Sequence, residues 1–166
     1  MSNIKTIINE IEHESQSTNK LLERVPEDKL GWKPHPKSMT LGQLALHVST
    51  IPGGMGAALR QPQVEASLLL DHPLSENLKE IRREFAATLS GAKDFLSALN
   101  SQELSAPWTI IHKGQPAVTI PKETAIRMFM LNHWYHHRGQ LTVYLRLLGI
   151  PLPPVYAASA DENPFA

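Results

Sequence analysis

The stretch LNHWYHHRGQL, residues 131–141, places three histidines within five positions: His133, His136 and His137. A neutral imidazole nitrogen is an ordinary ligand for divalent metals. An α-helix turns about 100° per residue, so His133 and His137 fall about 40° apart on one face. His136 lies about 60° from His133 and about 100° from His137, at the flank of that face. A pair at i and i+4 on one helix is a bidentate arrangement for zinc-type metals. A further histidine, His47, stands in TLGQLALHVSTI, where Leu44, His47 and Ile51 share a helical face with Thr40.

Periodicity assigns His47, His133 and His137 to inward-facing stripes. The stripe on the last helix reads Ile126, Met130, His133, His137, Leu141, Tyr144 and Leu148, stepping by three or four throughout. Burying an imidazole costs free energy unless both ring nitrogens find partners. Three inward histidines on two facing helices are costly without a common partner, and a divalent cation is such a partner. It takes one nitrogen from each ring while the other nitrogen bonds outward. Three protein ligands leave a coordination position for water or substrate, as catalytic rather than structural sites do. The bland alternative is three histidines hydrogen-bonded in a metal-free core.

The other histidines, His13, His35, His72 and His112, stand in polar or loop contexts and are expected at the surface. Among them His35 is singled out, because its WKPHP loop enters the helix that carries His47. His35 and His136 are secondary candidates for a contact behind the ligands or with substrate. Arg138 is turned about 100° from His137 and reads as a structural or interface ion-pair partner. No general base is evident. With no cysteine in the chain, disulfides, thiolate catalysis and thiolate ligation are excluded, and any metal must be held by His, Asp or Glu.

Four helices must position these residues. Ile4, Ile7, Ile8 and Ile11 recur at helical spacing, and Pro26 ends the first helix, which spans about Ser2 to Arg24. Residues 26–39 form a proline-rich loop. Thr40 and Gln43 fit a capping box that starts the second helix, about Leu41 to Arg60, which Pro52, Gly53 and Gly54 should bend or break. Residues 61–74 read as a connection, and Ser75 as the cap of a third helix ending near Asn100. Trp108–Ile111 and Ala117–Ile120 flank HKGQP as a small hairpin or irregular excursion. Pro121 suits the first turn of a fourth helix running unbroken to Leu148, on the order of 40 Å. Gly149 suits a left-handed cap, and Pro151 confirms the stop. The tail from Ile150 to Ala166 reads as extended.

The expected class is therefore all-α: a four-helix bundle in one domain spanning residues 1–166. The chain is 42% hydrophobic and 19% charged, the composition of a soluble globular protein. Sixteen basic residues balance sixteen acidic ones, so there is no electrostatic footprint for nucleic acid. No stretch reaches the roughly 18 apolar residues of a membrane span, and MSNIKTIINEIEHE lacks the apolar core of a signal peptide. A cytoplasmic protein is expected, with a small-molecule substrate and neither nucleic acid nor membrane as partner.

Two segments carry a family resemblance. LGWKPHPKSMTLGQLALHVSTIPG resembles the W-x-P segment and the following histidine-bearing helix of the DinB/YfiT-like superfamily. LNHWYHHRGQLTVYLRLLGIPLPPVYAASADE is similar to that family's HxxxHRGQLxxYLR…GxxxPxxYGxSADE ending, with Ala157 where many relatives carry glycine. The resemblance covers the full domain. It implies a four-helix bundle of up-down-down-up topology, usually dimeric. It also implies a divalent metal, typically zinc or nickel, on His47, His133 and His137, and leaves His136 out of the ligand set.

Some members of that family transfer low-molecular-weight thiols such as bacillithiol, mycothiol or glutathione, and the family name reflects DNA-damage induction. The leading expectation is accordingly a metal-dependent thiol S-transferase whose thiol comes from a cosubstrate. The alternatives are a metal-dependent hydrolase and a non-enzymatic, stress-linked dimeric binding module with a structural metal. The faces of Trp134, Tyr135 and Val143 are candidates for a dimer seam.

Overall fold

The computed structural model describes residues 3–75 and 77–163. Its four long helical segments are α1 (Asn3–Glu23), α2 (Leu41–Leu59), α4 (Leu78–Ser97) and the run that ends in α7 (His133–Leu147). Short α3 (Ala66–Leu69) and α5 (Ser101–Ser105) lie in the connections. One apolar core is shared by all four long segments. Among the described residues no helix is long and apolar enough to cross a membrane. Ser2 and residues 164–166 of the expected first helix and tail lie outside the described residues.

The capping box forms as its residues require. Gln43 N–H donates to Thr40 Oγ1 at 3.1 Å, and Thr40 N–H donates to Gln43 Oε1 at 3.0 Å. This fixes the start of α2, and so the height of His47 two turns on. Pro52 does not break the helix; α2 continues through it to Leu59. Gly53 serves close packing: a Cβ there would stand 2.6 Å from Thr88 Oγ1 and 2.8 Å from Thr88 Cα on α4. The third helix is capped by Asn77 rather than Ser75. Asn77 Oδ1 accepts from the N–H of Lys79 at 2.8 Å, while the Ser75 hydroxyl donates to Glu80 at 2.8 Å.

The molecule is mostly helical but not all-α. The hairpin is β2 (Pro107–His112) and β3 (Gln115–Pro121), antiparallel and turned by Lys113 and Gly114, both at positive φ. A third strand, β1 (Gln63–Glu65), lies in the segment read as a plain connection and pairs in parallel with β2. Three residues carry no readable period, and their partner is more than forty positions away, so sequence pattern is silent there. Trp108 on β2 is fully buried, and its indole N–H donates to the Ala58 carbonyl at 3.4 Å, anchoring the sheet to the end of α2.

The fourth helix is not unbroken. A short α6 (Lys122–Ala125) leads into a π-helical segment, Ile126–Asn132, and only then into α7. Pro121 caps α6 instead of occupying its first turn. At the far end Gly149 is left-handed at φ 71°. Ile150 N–H donates to Leu145 O and Gly149 N–H to Arg146 O, both at 3.0 Å, a Schellman closure.

Candidate metal centre

The π segment decides where the histidines point. A regular helix from Ile126 would centre the buried stripe on His133 and His137, as periodicity predicts. The observed stripe runs through Leu131, Trp134, Arg138, Leu141 and Leu145, each no more than 2% exposed. It is displaced by one residue because a π turn takes up one extra residue, about 100° of phase. His133 and His137 therefore leave the centre of the core for its rim and are half-buried. Trp134, buried completely, cannot serve as a dimer seam.

At that rim the three predicted residues meet. His133 Nε2 lies 3.4 Å from His47 Nε2 and 2.8 Å from His137 Nε2. The ring atoms able to ligate are all within 4.8 Å of one another, so the group could hold a metal ion. The outward nitrogen of His137, Nδ1, pairs with Gln140 Oε1 at 2.8 Å. Since an amide oxygen only accepts, Nδ1 carries the proton and the Nε2 lone pair faces the cluster. A tetrahedral zinc with bonds of about 2.0–2.1 Å separates ligand nitrogens by roughly 3.3 Å. The His47–His133 separation already matches, and the His133–His137 pair needs only a small opening. The donor set fits a divalent cation.

Burial keeps these rings neutral. Desolvation, followed by the charges of His137, His72 and His133, pushes His47 down to about 3. Desolvation likewise pushes His137 down to about 4 against the opposing bond to Gln140. His133 is lowered by the same cause, countered in part by a backbone hydrogen bond at Phe129. Neutral imidazole is the ligating form, so acid has little hold on the site above pH values near these.

A mostly apolar cleft of about 510 Å³ ends at His47 and His133, with Thr50, Ile51, Met55 and Leu69 among its walls. Glu65 and Asp71 are its charged lining residues. A second cleft of about 450 Å³, lined by Leu69, Leu70, Met128 and Phe129, also reaches His133.

The remaining candidates separate clearly. His136 is exposed; its ring centroid is 4.9 Å from that of His137, but it is not one of the converging histidines. His35 is exposed in its loop, where Nδ1 accepts from Lys37 N–H at 3.1 Å, and it plays no part in the cluster. His13 and His112 are exposed as expected. His72 is not: it is half-buried, its ring stacked edge-on against His47 with centroids 4.5 Å apart. Its place in a polar loop gave no signal, because its partner is distant in the chain.

Arg138, expected as a structural or interface ion-pair partner, is structural and is buried within the protein. Nη2 is 2.5 Å from Glu14 Oε2, Nη1 donates to Glu14 O at 3.0 Å, and the guanidinium packs over the Tyr135 and Tyr156 rings. These contacts lock α7, and with it the two helical histidines, to α1 and to the C-terminal tail. Ion pairs Arg24–Glu162 and Arg146–Asp161 fasten the same tail. Tyr135 donates to Glu10 at 2.8 Å.

Comparison with known proteins agrees with this architecture. The chain is 26% identical to a DinB-like protein of Bacillus cereus ATCC 10987, with a TM-score of 0.67 over 87% of this chain and 91% of that one. The fold is shared with a DinB-like protein, YjoA, of Bacillus subtilis, at 20% identity and a TM-score of 0.69 over 91% of this chain and 97% of that one. It is also 25% identical to the uncharacterised protein YrdA of Bacillus subtilis (strain 168), over 91% of this chain and 86% of that protein. The sequence pattern of the DinB family matches residues 1–163, and the chain belongs to that family.

Proposed function

We propose that this chain is a metal-dependent enzyme that transfers a small thiol to an electrophile. The observation that carries the reading is the convergence of three imidazoles, two of which, His47 and His133, line an apolar cleft. A divalent metal held by His47, His133 and His137, zinc or nickel as the DinB resemblance implies, would lower the pKa of a bound thiol or water. The protein's own part is positional. Gln140 orients His137, the Glu14–Arg138 pair holds α7 in place, and Met55, Leu69 and Ile51 exclude water from the electrophile. A chain without cysteine must receive its sulfur from a cosubstrate.

One observation favours a second reading. The cleft lining carries Glu65 and Asp71 and no Lys or Arg, which suits an uncharged ester better than a thiol bearing carboxylates. In that case the activated nucleophile is water and the protein is a hydrolase. Incubating zinc- or nickel-loaded protein with an aryl chloride or an aryl ester, with and without a small thiol, decides between them. Product formation that does not depend on thiol would rule out the transferase.

Three finer features complete the proposal. The four long helices form an up-down-down-up bundle, and two copies associate through the outer face of α7, where Val143 and Leu147 are 56% and 61% exposed. A cytoplasmic setting suits a cysteine-free chain.

A further inference from the structure

We infer that His72 is a fourth, displaceable ligand that closes this metal centre until substrate enters. The inference rests on the three-histidine reading and adds a residue to it. His72 stands between exposed Asp71 and Pro73 in the connection from α3 to α4, where an imidazole would ordinarily reach water. Instead its ring turns inward against His47, 4.5 Å between centroids. Its Nδ1 is buried and has no hydrogen-bond partner among the described residues. A buried ring nitrogen without a partner is costly, and a metal ion is the partner that a neighbouring set of imidazoles supplies.

The loop is fastened by its backbone rather than by the His72 ring. The His72 carbonyl accepts from Gln43 Nε2 at 3.0 Å, and Gln43 is the capping residue of the helix that carries His47. Three residues on, the connection presses against the same helix: a Cβ on Gly42 would stand 2.5 Å from the Ser75 carbonyl. The loop is thus strapped across the first turn of α2, beside the site. The His72 nitrogens are outside the tight group formed by the other three histidines, so ligation takes a side-chain rotation. A ligand that arrives by rotation from a loop also leaves by rotation, unlike three ligands fixed on helices. Asp71, the adjacent residue, lines the cleft, which places the loop where an entering substrate would move it.

Cobalt(II) provides the test, because its visible absorption reports coordination number and its affinity is measured by chelator competition. In the full-length wild type, the expected spectrum is four-coordinate and insensitive to added imidazole. In His72→Ala, the absorption should weaken, affinity should fall roughly ten-fold or more, and millimolar imidazole should restore both. His72→Phe keeps the ring contact with His47 and should lose the ligand alone. Far-ultraviolet circular dichroism checks the fold of each variant. If His72→Ala or His72→Phe keeps the wild-type spectrum, affinity and imidazole response, the fourth-ligand assignment is overturned while the three-histidine site stands. A wild type that binds no cobalt, or a His133→Ala variant that binds it equally well, overturns the site itself.

Discussion

Zinc added to the metal-free protein at about pH 6 is expected to displace fewer than one proton from the three converging imidazoles, His47, His133 and His137. Ordinary histidines are about three-quarters protonated there, so three of them would together release roughly 2.3 protons on ligation. In this protein His47 is held at about 3 and His137 at about 4, each by burial first and by neighbouring rings next. Their protonated fractions at about pH 6 are then on the order of 0.001 and 0.01. His133 is lowered in the same sense, so it too releases less than an ordinary histidine. The sign follows from linkage. Folded pKa values below the unfolded value of 6.5 mean that stability from these groups is full above about pH 6.5 and is lost as pH falls towards 4 and then 3. Isothermal titration calorimetry in two buffers of different ionisation enthalpy measures the protons released. Two or more protons per zinc would mean that the rings are charged before the metal arrives, and would refute a preformed neutral cluster.

Other perturbations test the parts that hold the cluster. Gln140→Leu removes the partner of His137 Nδ1 and should weaken zinc binding roughly 10–100-fold by chelator competition; unchanged affinity would deny Gln140 its orienting role. Gly53→Ala drives a methyl group into Thr88 and should cost about 1–3 kcal/mol in urea denaturation. Gly54→Ala, next to it with open space, should gain up to about 1 kcal/mol from helix propensity. Arg138→Met strands the buried Glu14 carboxylate and should cost about 3–5 kcal/mol. Arg146→Ala, which breaks an exposed pair with Asp161, should leave the urea midpoint close to that of the wild type by the same assay.

Features written in local pattern were legible in the sequence. The capping box, the hairpin around Lys113 and Gly114, the left-handed Gly149 and the pairing of His133 with His137 all depend on residues close in the chain or on helical spacing. Features that depend on pairing between distant segments were not. β1 exists only because β2 lies beside it, and His72 is inside only because its loop is strapped to Gln43. Asn77 took the cap expected of Ser75 because it stands directly before the first helical residue, a shift of two positions that composition does not resolve. The phase of the last helix was misread for another reason. Its true core stripe contains Arg138, and a charged residue interrupts an apolar pattern even when Glu14, Thr18 and Tyr156 pair with its guanidinium.

That displaced stripe bears on chemistry. Histidines at the centre of a core would be dry and neutral, but closed to any substrate. Histidines on the outer face would be accessible, but charged through much of the acidic range and surrounded by competing water. The π segment at Ile126–Asn132 sets His133 and His137 between these extremes. One side of each ring is desolvated enough to hold it neutral, and His133, with His47, faces the cleft. The positions they vacate are filled by Trp134 and Arg138, which carry the packing and the ion pair that keep the helix from turning back. An irregular helical turn would be a defect if the helix served only to fill a core. Here it divides one helix between two tasks, with the core on one stripe and two of the three converging nitrogens on the next.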